Sequence, residues 1–400
     1  MDLTSPHAFW LLRNGIGDVP PPMSRDRRCD VAVIGAGITG ALVSDALTAE
    51  GLAVVAVDRR HPAEGSTSAS TALLQYELDA SLTELTGTVG RERAESAYHA
   101  CLDGVRAIGR AVRGLEQDVG FRRRPSLYYA SRPGDVEALR KESAARRRAK
   151  LPCEVLEQTG IRKLVDFNAP LALWSNAGGE VDPWRLTHAL LERCGTRDFE
   201  LYGRTDVTRL VPGKRSVEVI TNRGRVVARD VVVAAGYEAE RLLPECVAKL
   251  NSTFALVTEP VKAFPGWGQR CLIWESARPY LYARTTSDDR IMVGGEDVPF
   301  RDPAHRDALV PSKCATLLEK ARRLFPRIEM EPAYAWAGTF GETEDSLPYL
   351  GPHPDGDPRV HYALGYGANG MPFSAIAAEI VTAAVLGKPH RYADIFAFDR

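Results

Sequence analysis

Val31-Ala-Val-Ile-Gly-Ala-Gly-Ile-Thr-Gly40 is the stretch of this 400-residue chain that decides the fold. Its first four residues form an apolar run without alternation, which is typical of a parallel strand buried on both faces. Gly35 then permits a tight turn, Gly37 leaves room for a phosphate beside the backbone, and Gly40 lets the next helix lie close to the strand. The free amides and the positive dipole end of that helix favour an anion. The stretch therefore predicts a pyrophosphate site.

The residues after this turn continue the pattern. Apolar side chains fall on one helical face, at Ile38, Leu42, Ala46 and Ala49. Gly51 stops the helix, and a second apolar strand, residues 53–57, ends at Asp58, 23 residues after Gly35. A carboxylate near this offset accepts hydrogen bonds from the adenosine ribose and disfavours a 2′-phosphate. The pattern predicts a dinucleotide-binding βαβ unit, and the alternative is a plain βαβ unit with a surface aspartate.

The composition limits the classes of protein to consider. A chain of 400 residues with 44% hydrophobic content can bury more than one core, so two domains are expected. Because 51 basic residues stand against 52 acidic ones, the net charge of -1 gives no overall attraction for nucleic acid or an anionic membrane. The basic runs 122–124 and 146–150 are interpreted as solvated surface.

Cysteine spacing and hydropathy indicate the compartment. The seven cysteines are never closer than 25 residues, so the sequence has no CxxC pair, and we expect reduced, mostly buried thiols. No stretch approaches about 18 consecutive apolar residues, and the N-terminus has no signal-peptide pattern. We therefore predict a cytoplasmic protein with no integral membrane segment and no metal site.

Two further segments near the N-terminus are informative. Residues 1–28 include Pro20-Pro-Pro22 and predict an extended arm that is either disordered or docked through Phe9-Trp10. Gly65-Ser-Thr-Ser-Ala-Ser-Thr71 is a second small-residue loop at a helix start. Its hydroxyls can cap free amides or reach a phosphate or ribityl chain. Capping explains one or two of the five hydroxyls, so a cofactor contact is favoured.

The middle of the chain has the pattern of a regular α/β protein. The predicted elements are a helix over 88–117, a strand over 127–130, a helix over 135–150, a helix from Pro183 capped by Asp182, and a buried strand over 231–236. Open α/β sheets bind ligands at the carboxyl ends of their strands. The turn at Ala235 and Gly236 is therefore expected beside the cofactor.

Residues 250–300 change to an alternating, aromatic pattern that predicts an antiparallel sheet. Tyr280, Tyr282 and Arg284 would share one strand face. Ser287-Asp-Asp289 would form the turn into the next strand. Such a sheet would supply the second wall of a cleft, although the tyrosines fit core packing equally well.

The segment Gly365-Tyr-Gly-Ala-Asn-Gly370 repeats the logic of the opening stretch. It follows the apolar strand 360–364 and precedes a helix from Pro372 to Leu386. Backbone amides at such a helix start suit the negative charge that develops on N1 and O2 of a reduced isoalloxazine. A nicotinamide needs no such element, so this segment favours FAD over NAD.

Together these separated segments resemble the FAD-dependent amino acid and amine oxidase superfamily, which contains D-amino acid oxidase, glycine oxidase and sarcosine oxidase. The resemblance covers nearly the whole chain and also rests on Trp336-Ala-Gly338, Thr343-Glu-Asp345 and Leu347-Pro-Tyr-Leu-Gly351. It implies an α/β fold, a Rossmann-like FAD-binding domain with an inserted antiparallel-sheet-plus-helices substrate domain. The implied boundaries are 1–80, 151–245 and 331–400 for the discontinuous FAD-binding domain, and 81–150 and 246–330 for the substrate domain.

The resemblance also implies an activity. Hydride would pass from a carbon beside nitrogen to flavin N5, and the imine product would hydrolyse. The expected partners are a small-molecule amine or amino acid and, as electron acceptor, oxygen or another compound. The sequence selects neither the acceptor nor an oligomeric state. Two rivals stay open: an NAD-dependent dehydrogenase, and an FAD-binding protein without catalysis.

Two departures from the superfamily pattern refine the prediction. Many members carry arginine two residues after the Trp-x-Gly motif, where this chain has Phe340, so that carboxylate anchor is missing. Either Arg284 replaces it or the substrate is an amine. Neither 336–351 nor 65–71 contains cysteine or histidine, so noncovalent FAD is expected.

The residues that we predict to bind FAD are Gly35, Gly37, Ile38, Thr39, Gly40, Asp58, Arg59, Ser66, Thr67, Ser68, Ser70, Ala235, Gly236, Gly338, Gly367, Asn369, Gly370 and Met371. The candidates for catalytic positions in the cleft are Tyr282, Arg284 and Phe340.

Overall fold

The computed structural model describes residues 2–400, which form two sheets and ten α-helices. The strands are β1 (Arg27–Ile34), β2 (Val54–Val57), β3 (Leu73–Leu74), β4 (Arg122–Tyr129), β5 (Glu154–Glu157), β6 (Leu171–Glu180), β7 (Phe199–Tyr202), β8 (Val207–Pro212), β9 (Val217–Thr221), β10 (Gly224–Val233), β11 (Lys249–Thr258), β12 (Leu272–Glu275), β13 (Leu281–Thr285), β14 (Ile291–Pro299), β15 (Pro332–Glu342), β16 (Tyr349–Pro352) and β17 (Val360–Leu364).

The helices connect these strands and cover the sheets. They are α1 (Phe9–Asn14), α2 (Ile38–Ala49), α3 (Ser66–Ala69), α4 (Leu82–Val89), α5 (Arg91–Ala111), α6 (Val136–Arg148), α7 (Gln158–Ile161), α8 (Pro183–Cys194), α9 (Pro303–Leu324) and α10 (Gly370–Val385). Short 3₁₀-helices cover Pro133–Asp135 and Gly236–Leu242.

The first sheet has the strand order β16-β17-β10-β1-β2-β7. The five strands from β17 to β7 run parallel, and β16 is antiparallel to β17. An antiparallel hairpin of β8 and β9 pairs with the first half of β10. Strands β1 and β2 are parallel neighbours joined by α2, so the predicted βαβ unit is confirmed.

The side chains of β1 alternate between two cores. Val31 and Val33 pack into one core with α2, α5, α8 and α10. Ala32 and Ile34 pack on the opposite face, with β8, β9 and the 3₁₀-helix at 236–242. Because both faces of the strand are buried, its sequence has no polar alternation.

The second sheet has the strand order β15-β11-β14-β13-β12-β4-β6-β3, with β5 also pairing with β6. Apart from the parallel pair β4 and β12, its pairings are antiparallel. Helix α9 covers one face, where Leu317 and Ala321 pack with Phe254 and Ile273. The antiparallel sheet predicted for residues 250–300 is confirmed, including the turn that pairs Thr285 with Ile291.

Sheet membership divides the chain differently from the implied domain boundaries. β3, β5, β6 and β15 belong to the second sheet, whereas those boundaries assign their residues to the FAD-binding domain. The physical reason is strand pairing. β15 pairs with β11 from Lys249 to Thr258, and β6 pairs with β4 from Arg122 to Tyr129.

Three local predictions differ from the structure. The helix predicted over 88–117 is shorter in the structure, since α5 begins at Arg91 after Gly90, which has a φ of +82°, and ends at Ala111. Arg146, interpreted as solvated surface, is buried between the carboxylates of Glu142 and Glu77. The N-terminal arm contains α1, and Phe9 and Trp10 are buried, so docking and not disorder describes it.

Within residues 2–400, no helix combines the length and the apolar character that crossing a membrane requires. The same residues contain no group of three or more His, Cys, Asp or Glu side chains placed to hold a metal ion. All seven cysteines are free thiols.

Candidate functional site

A large cavity opens at the carboxyl ends of the parallel strands, between the two sheets. The ends of β1, β2, β10 and β17 line one side, and residues 338–340 of β15 line another. The space is about 1560 Å³, part of which is open to solvent. The cavity runs from Asp58 at the end of β2 to Met371 at the start of α10. Its position is the one at which open α/β sheets bind ligands.

The turn after β1 is packed too closely for side chains at two of its glycines. Gly35 has a φ of +106°, and a Cβ there would lie 2.4 Å from the carbonyl oxygen of Ala234. A Cβ on Gly40 would lie 1.8 Å from the carbonyl oxygen of Gly35. Such distances are overlaps, so both positions require glycine. The turn consequently brings Gly37 and the start of α2 to the cavity wall.

Asp58 lies in the cavity wall at the end of β2. Its carboxylate accepts hydrogen bonds from the backbone amides of Ala36 and Arg60, each at 2.7 Å. Burial raises the pKa of Asp58, whereas the two amide hydrogen bonds act to lower it. Asp58 therefore joins the glycine turn to the end of β2, where a ribose is expected.

The cations of the cavity are gathered at the Asp58 end. Arg59 Nη2 and Arg60 Nη1 lie 2.5 and 2.9 Å from the buried carboxylate of Glu238. Arg241, from the neighbouring 3₁₀-helix, pairs with Asp206 at 3.1 Å. Among the described residues that line the cavity, no other is Arg or Lys. The opposite end, formed by residues 338–340 and 365–371, is uncharged.

The loop at 65–71 is held by three donors on three consecutive carbonyl groups. Trp336 Nε1 donates to the carbonyl of Ala69 at 2.9 Å, and Trp10 Nε1 donates to that of Ser70 at 2.7 Å. Arg284 Nε donates to the carbonyl of Thr71 at 2.6 Å. These donors come from β15, α1 and β13. The path of this loop along the cavity is thus fixed by distant parts of the chain.

The hydroxyls of the loop have different surroundings. Thr67 Oγ1 accepts a hydrogen bond from the amide of Ile38 at 3.0 Å, so it caps the start of α2. Ser68 Oγ donates to the carbonyl of Gly65 at 2.9 Å. Ser66 lines the cavity, and its buried Oγ has no hydrogen-bond partner within residues 2–400. Ser66 is therefore available to a ligand.

The C-terminal glycine segment forms the uncharged end of the cavity. Gly365 and Gly367 have φ values of +78° and +56°, which supports the expected turn before α10. Ala368 N donates to Asp79 Oδ2 at 3.1 Å, and Asn369 Nδ2 donates to the carbonyl of Glu77 at 2.7 Å. The start of α10 faces the cavity through Gly370 and Met371.

The two helix starts are joined across the cavity. The hydroxyl oxygens of Thr39 in α2 and Ser374 in α10 lie 2.8 Å apart, and both residues line the cavity. Tyr366 also lines it, with its hydroxyl buried beside Thr39. The positive ends of two helices and a phenol therefore converge on one space.

The three catalytic candidates occupy different positions. Tyr282 and Phe340 line the cavity. Burial raises the pKa of Tyr282 to about 12, so its hydroxyl is protonated at neutral pH. Gly294 on β14 makes room for this ring, since a Cβ there would lie 2.5 Å from Tyr282.

Arg284 does not line the cavity. It is 1% exposed, and besides the carbonyl of Thr71 it donates to that of Val181 at 3.0 Å. Burial lowers its pKa to about 10, although Glu180 and Asp182 act to raise it. Arg284 therefore supports the loop at 65–71 and is not placed to contact a molecule in the cavity.

Most of the residues predicted to bind FAD line this cavity. They are Gly35, Gly37, Ile38, Thr39, Asp58, Arg59, Ser66, Thr67, Ser70, Ala235, Gly236, Gly338, Gly367, Gly370 and Met371. Gly40 lies behind the turn and Ser68 is fully buried, so neither reaches the space. Asn369 lines a smaller cavity next to it.

Leu3 and Gly104 are two of the contributors that sequence reasoning missed. Leu3 lines the cavity because the N-terminal arm pairs with β15, where the amide of Thr339 donates to the carbonyl of Leu3 at 2.8 Å. Gly104 lets α5 approach α10, since a Cβ there would lie 2.3 Å from the carbonyl oxygen of Pro372. A glycine inside a predicted helix was the available signal for Gly104. Leu3 had no signal in the sequence.

The residues of this cavity fit FAD. The space is long enough to run from Asp58 to the start of α10, and the glycine turn admits a pyrophosphate beside its backbone. The unpaired Ser66 Oγ provides a polar group that the protein itself leaves unsatisfied. Two helix starts supply positive potential for the phosphates and for the flavin ring.

A family model described as an FAD-dependent oxidoreductase matches residues 30–384. The chain belongs to this family. A relative, glycine oxidase of Geobacillus kaustophilus, is 24% identical over 376 residues, which cover 88% of this chain and 92% of that enzyme.

Two solved structures have the same fold as this chain. The crystal structure of glycine oxidase from Geobacillus kaustophilus has a TM-score of 0.76 at 21% identity and covers 94% of this chain and 99% of that one. The structure of L-amino acid deaminase from Proteus myxofaciens in complex with anthranilate has a TM-score of 0.79 at 13% identity, covering 97% and 96%.

Family membership confirms four predictions from the sequence. These are the resemblance to the amino acid and amine oxidase superfamily, the α/β fold class, FAD as the cofactor, and an FAD-dependent oxidoreductase as the class of enzyme. The NAD-dependent alternative is thereby set aside.

Proposed function

We propose that the protein oxidises a C–N bond of an amine or amino acid at the uncharged end of the cavity. The observation that carries this proposal is the convergence of three glycine-bearing turns, near residues 35, 65 and 365, on one cavity whose far end is walled by the side chains of Tyr280, Tyr282 and Phe340. A cofactor cradle beside an aromatic wall is the arrangement that hydride transfer from a small molecule requires.

The chain's own residues would bind and orient the cofactor. The glycine turn and the start of α2 would hold the pyrophosphate, and Asp58 would accept hydrogen bonds from the ribose. Ser66 and the loop at 65–71 would contact the ribityl chain. The start of α10 would stabilise negative charge at N1 and O2 of the flavin. Bound FAD would supply the two-electron oxidation, by accepting hydride at N5 from the carbon beside nitrogen, after which the imine hydrolyses.

Two further parts of the proposal concern attachment and domains. We propose noncovalent FAD, because within the described chain no cysteine or histidine lines the cavity. We also propose that the first sheet belongs to a discontinuous FAD-binding domain and that strands β11–β14 with α9 form the centre of a substrate domain.

The test is anaerobic mixing of the purified holoenzyme with a panel of amines and amino acids. We expect at least one compound to bleach the visible absorbance of the oxidised flavin, and chemical reduction with dithionite serves as the control for a reducible flavin. Admitting oxygen or a dye afterwards identifies the electron acceptor. If dithionite bleaches the flavin and no compound of the panel does, an FAD-binding protein without this catalysis is the better description.

A second measurement tests the attachment. Denaturing the holoenzyme and removing the protein by filtration should leave the yellow chromophore in the filtrate. Yellow colour retained with the protein would contradict noncovalent binding.

A further inference from the structure

A smaller cavity adjoins the uncharged end of the large one. It has about 660 Å³, including the part open to solvent, and it shares walls with the large cavity at Ser70, Thr71, Tyr280, Tyr282, Ala368 and Met371. Under the proposed function, the shared wall lies next to the reacting end of the flavin. A molecule in the smaller cavity would therefore lie beside the cofactor, and the inference below rests on that function.

The walls of the smaller cavity include fixed aromatic rings. Trp274 stacks on Tyr128 with ring centroids 3.7 Å apart, and its Nε1 donates to Ser126 Oγ at 3.1 Å. Tyr280 and Tyr282 form a second pair, with centroids 5.8 Å apart. Faces of such rings attract cations through their quadrupoles.

Asp79 is the carboxylate of this cavity that has no cationic partner. Its Oδ2 accepts the amide hydrogen of Ala368, and its Oδ1 accepts no hydrogen bond within residues 2–400. Burial, with Asp297 and Glu342 nearby, raises its pKa to about 6, and the exposed Arg278 opposes this only weakly. At neutral pH Asp79 is thus a partly desolvated anion.

The second carboxylate of the lining, Glu77, has a buried cation beside it. Glu77 lies 3.6 Å from Arg146, which also binds Glu142 at 2.6 Å. All three side chains are buried. Asp79 is therefore the carboxylate of the lining that has no such partner.

The lining offers no buried cation to a carboxylate ligand. Among the described lining residues, Arg278 is the single cation, and its guanidinium lies over the ring of Tyr280, 4.8 Å from the centroid. Phe340 lines the large cavity at the position where many superfamily members carry an arginine. Arg284 donates its hydrogen bonds to backbone carbonyls. The charges of this pocket therefore favour a cationic ligand.

We infer that the smaller cavity binds the cationic nitrogen of an amine that lacks an α-carboxylate, with Asp79 as its counter-ion and the rings of Trp274, Tyr280 and Tyr282 as its walls. A carboxylate beside the nitrogen would be desolvated next to Asp79 without a compensating cation. The substrate class is therefore a simple amine and not an amino acid.

The experiment compares each amino acid with the amine that lacks its carboxylate. The pairs are alanine with ethylamine, leucine with isoamylamine, proline with pyrrolidine, and phenylalanine with phenylethylamine. Binding to the holoenzyme is measured at pH 8 by the shift of the flavin visible spectrum, and flavin bleaching is recorded separately. We expect the amine of a pair to bind about tenfold or more tightly than its amino acid.

Two variants test the role of Asp79. Asp79→Asn keeps an acceptor for the amide of Ala368 and removes the charge, so it should weaken amine binding about tenfold while FAD content stays that of the wild type. Asp355→Asn removes an exposed carboxylate that lines neither cavity and is the matched control. It should leave amine binding unchanged.

The outcomes separate this inference from the proposed function. Amino acids that bleach the flavin and bind as tightly as their amines would support the function and overturn the inference. Equal amine binding by Asp79→Asn and the wild type would also overturn it, as would a spectrum that no amine shifts. Amines that shift the spectrum through Asp79 without bleaching the flavin would support the binding site and contradict the oxidation.

Discussion

The walls of the two cavities differ in how much backbone and how much side chain they contain. The backbone wall of the large cavity is formed by turns at Gly35, Gly236 and Gly367, by Gly338 in β15 and by the starts of two helices. The wall of the small cavity is mostly side chain, with Trp274, Tyr280 and Asp79 brought from separate parts of the chain. The backbone wall tolerates few substitutions at Gly35 and Gly40, where a Cβ would overlap a carbonyl oxygen, whereas a side-chain wall can change its specificity without a change of fold.

This difference assigns separate roles to the two regions. The backbone wall presents amides and helix dipoles, which suit the constant phosphates and ring of a cofactor. The side-chain wall presents one carboxylate and several rings, which select among substrates. Substitutions in the first region should therefore change FAD content, and those in the second should change ligand preference at constant FAD content.

The largest expected effect is that of Gly40→Ala. The new Cβ would lie 1.8 Å from the carbonyl oxygen of Gly35, which is an overlap. Helix α2 would have to move away from β1, at a cost of about 3 kcal/mol. We expect purified protein with little or no FAD and a lower Tm, measured by the ratio of flavin to protein absorbance and by thermal unfolding.

The control for this variant is Gly87→Ala. Gly87 lies in α4, and a Cβ there meets no atom within 4 Å. Alanine in an open helical position should stabilise the protein by about 0.5–1 kcal/mol and leave the FAD content unchanged. Full FAD content in Gly40→Ala would show that α2 can move without loss of the cofactor. It would contradict the expectation that substitutions in the backbone wall change FAD content.

The backbone wall was predictable from the sequence because its first glycines have a recognisable spacing. Gly35, Gly37 and Gly40 are spaced as a phosphate turn, and Asp58 follows at the expected offset. Fifteen of the predicted cofactor residues consequently line the cavity. The glycine that supports the second helix start, Gly104, was overlooked because its partner, the carbonyl of Pro372, is distant in sequence.

The side-chain wall was not predictable in the same way. Asp79 and Trp274 have no local pattern that distinguishes them from surface acids or core aromatics. Their meeting depends on the parallel pairing of β12 with β4 and on the contact of Ala368 with Asp79. Arg284 shared a predicted strand face with Tyr282, but its length carries the guanidinium past the cavity to the carbonyls of Thr71 and Val181.

The pH dependence of amine binding examines the side-chain wall. Asp79 has a pKa of about 6, raised from 3.8, so its carboxyl is neutral below pH 6 and charged above it. Amine affinity should therefore rise about tenfold between pH 5 and 7 and then level off, until the amine itself loses its proton. Titrations followed by the flavin spectrum measure this profile, and Asp79→Asn should flatten it.

The same shift has a consequence for stability without ligand. A raised carboxyl pKa stabilises the folded state below the unfolded value, and this contribution is lost as the pH rises from about 4 through about 6. Asp79→Asn should accordingly have a higher Tm than the wild type at pH 8 and a similar Tm at pH 4. A wild-type profile that the variant retains would assign the titration to another group, such as Asp297.

The smallest expected effect tests whether the N-terminal arm supports the backbone wall. Trp10→Phe keeps a ring in the core but removes the donor to the carbonyl of Ser70, leaving that part of the loop at 65–71 less constrained. The loss of one hydrogen bond of about 1 kcal/mol should weaken FAD binding about fivefold, measured by fluorescence titration of the apoprotein. Trp184→Phe is the matched control, since the buried Nε1 of Trp184 has no partner within residues 2–400. The arm precedes the residues that match the family model. A loss of FAD affinity in Trp10→Phe alone would show that the arm is part of the cofactor site. Equal FAD affinity in both variants would show that the arm contributes packing only.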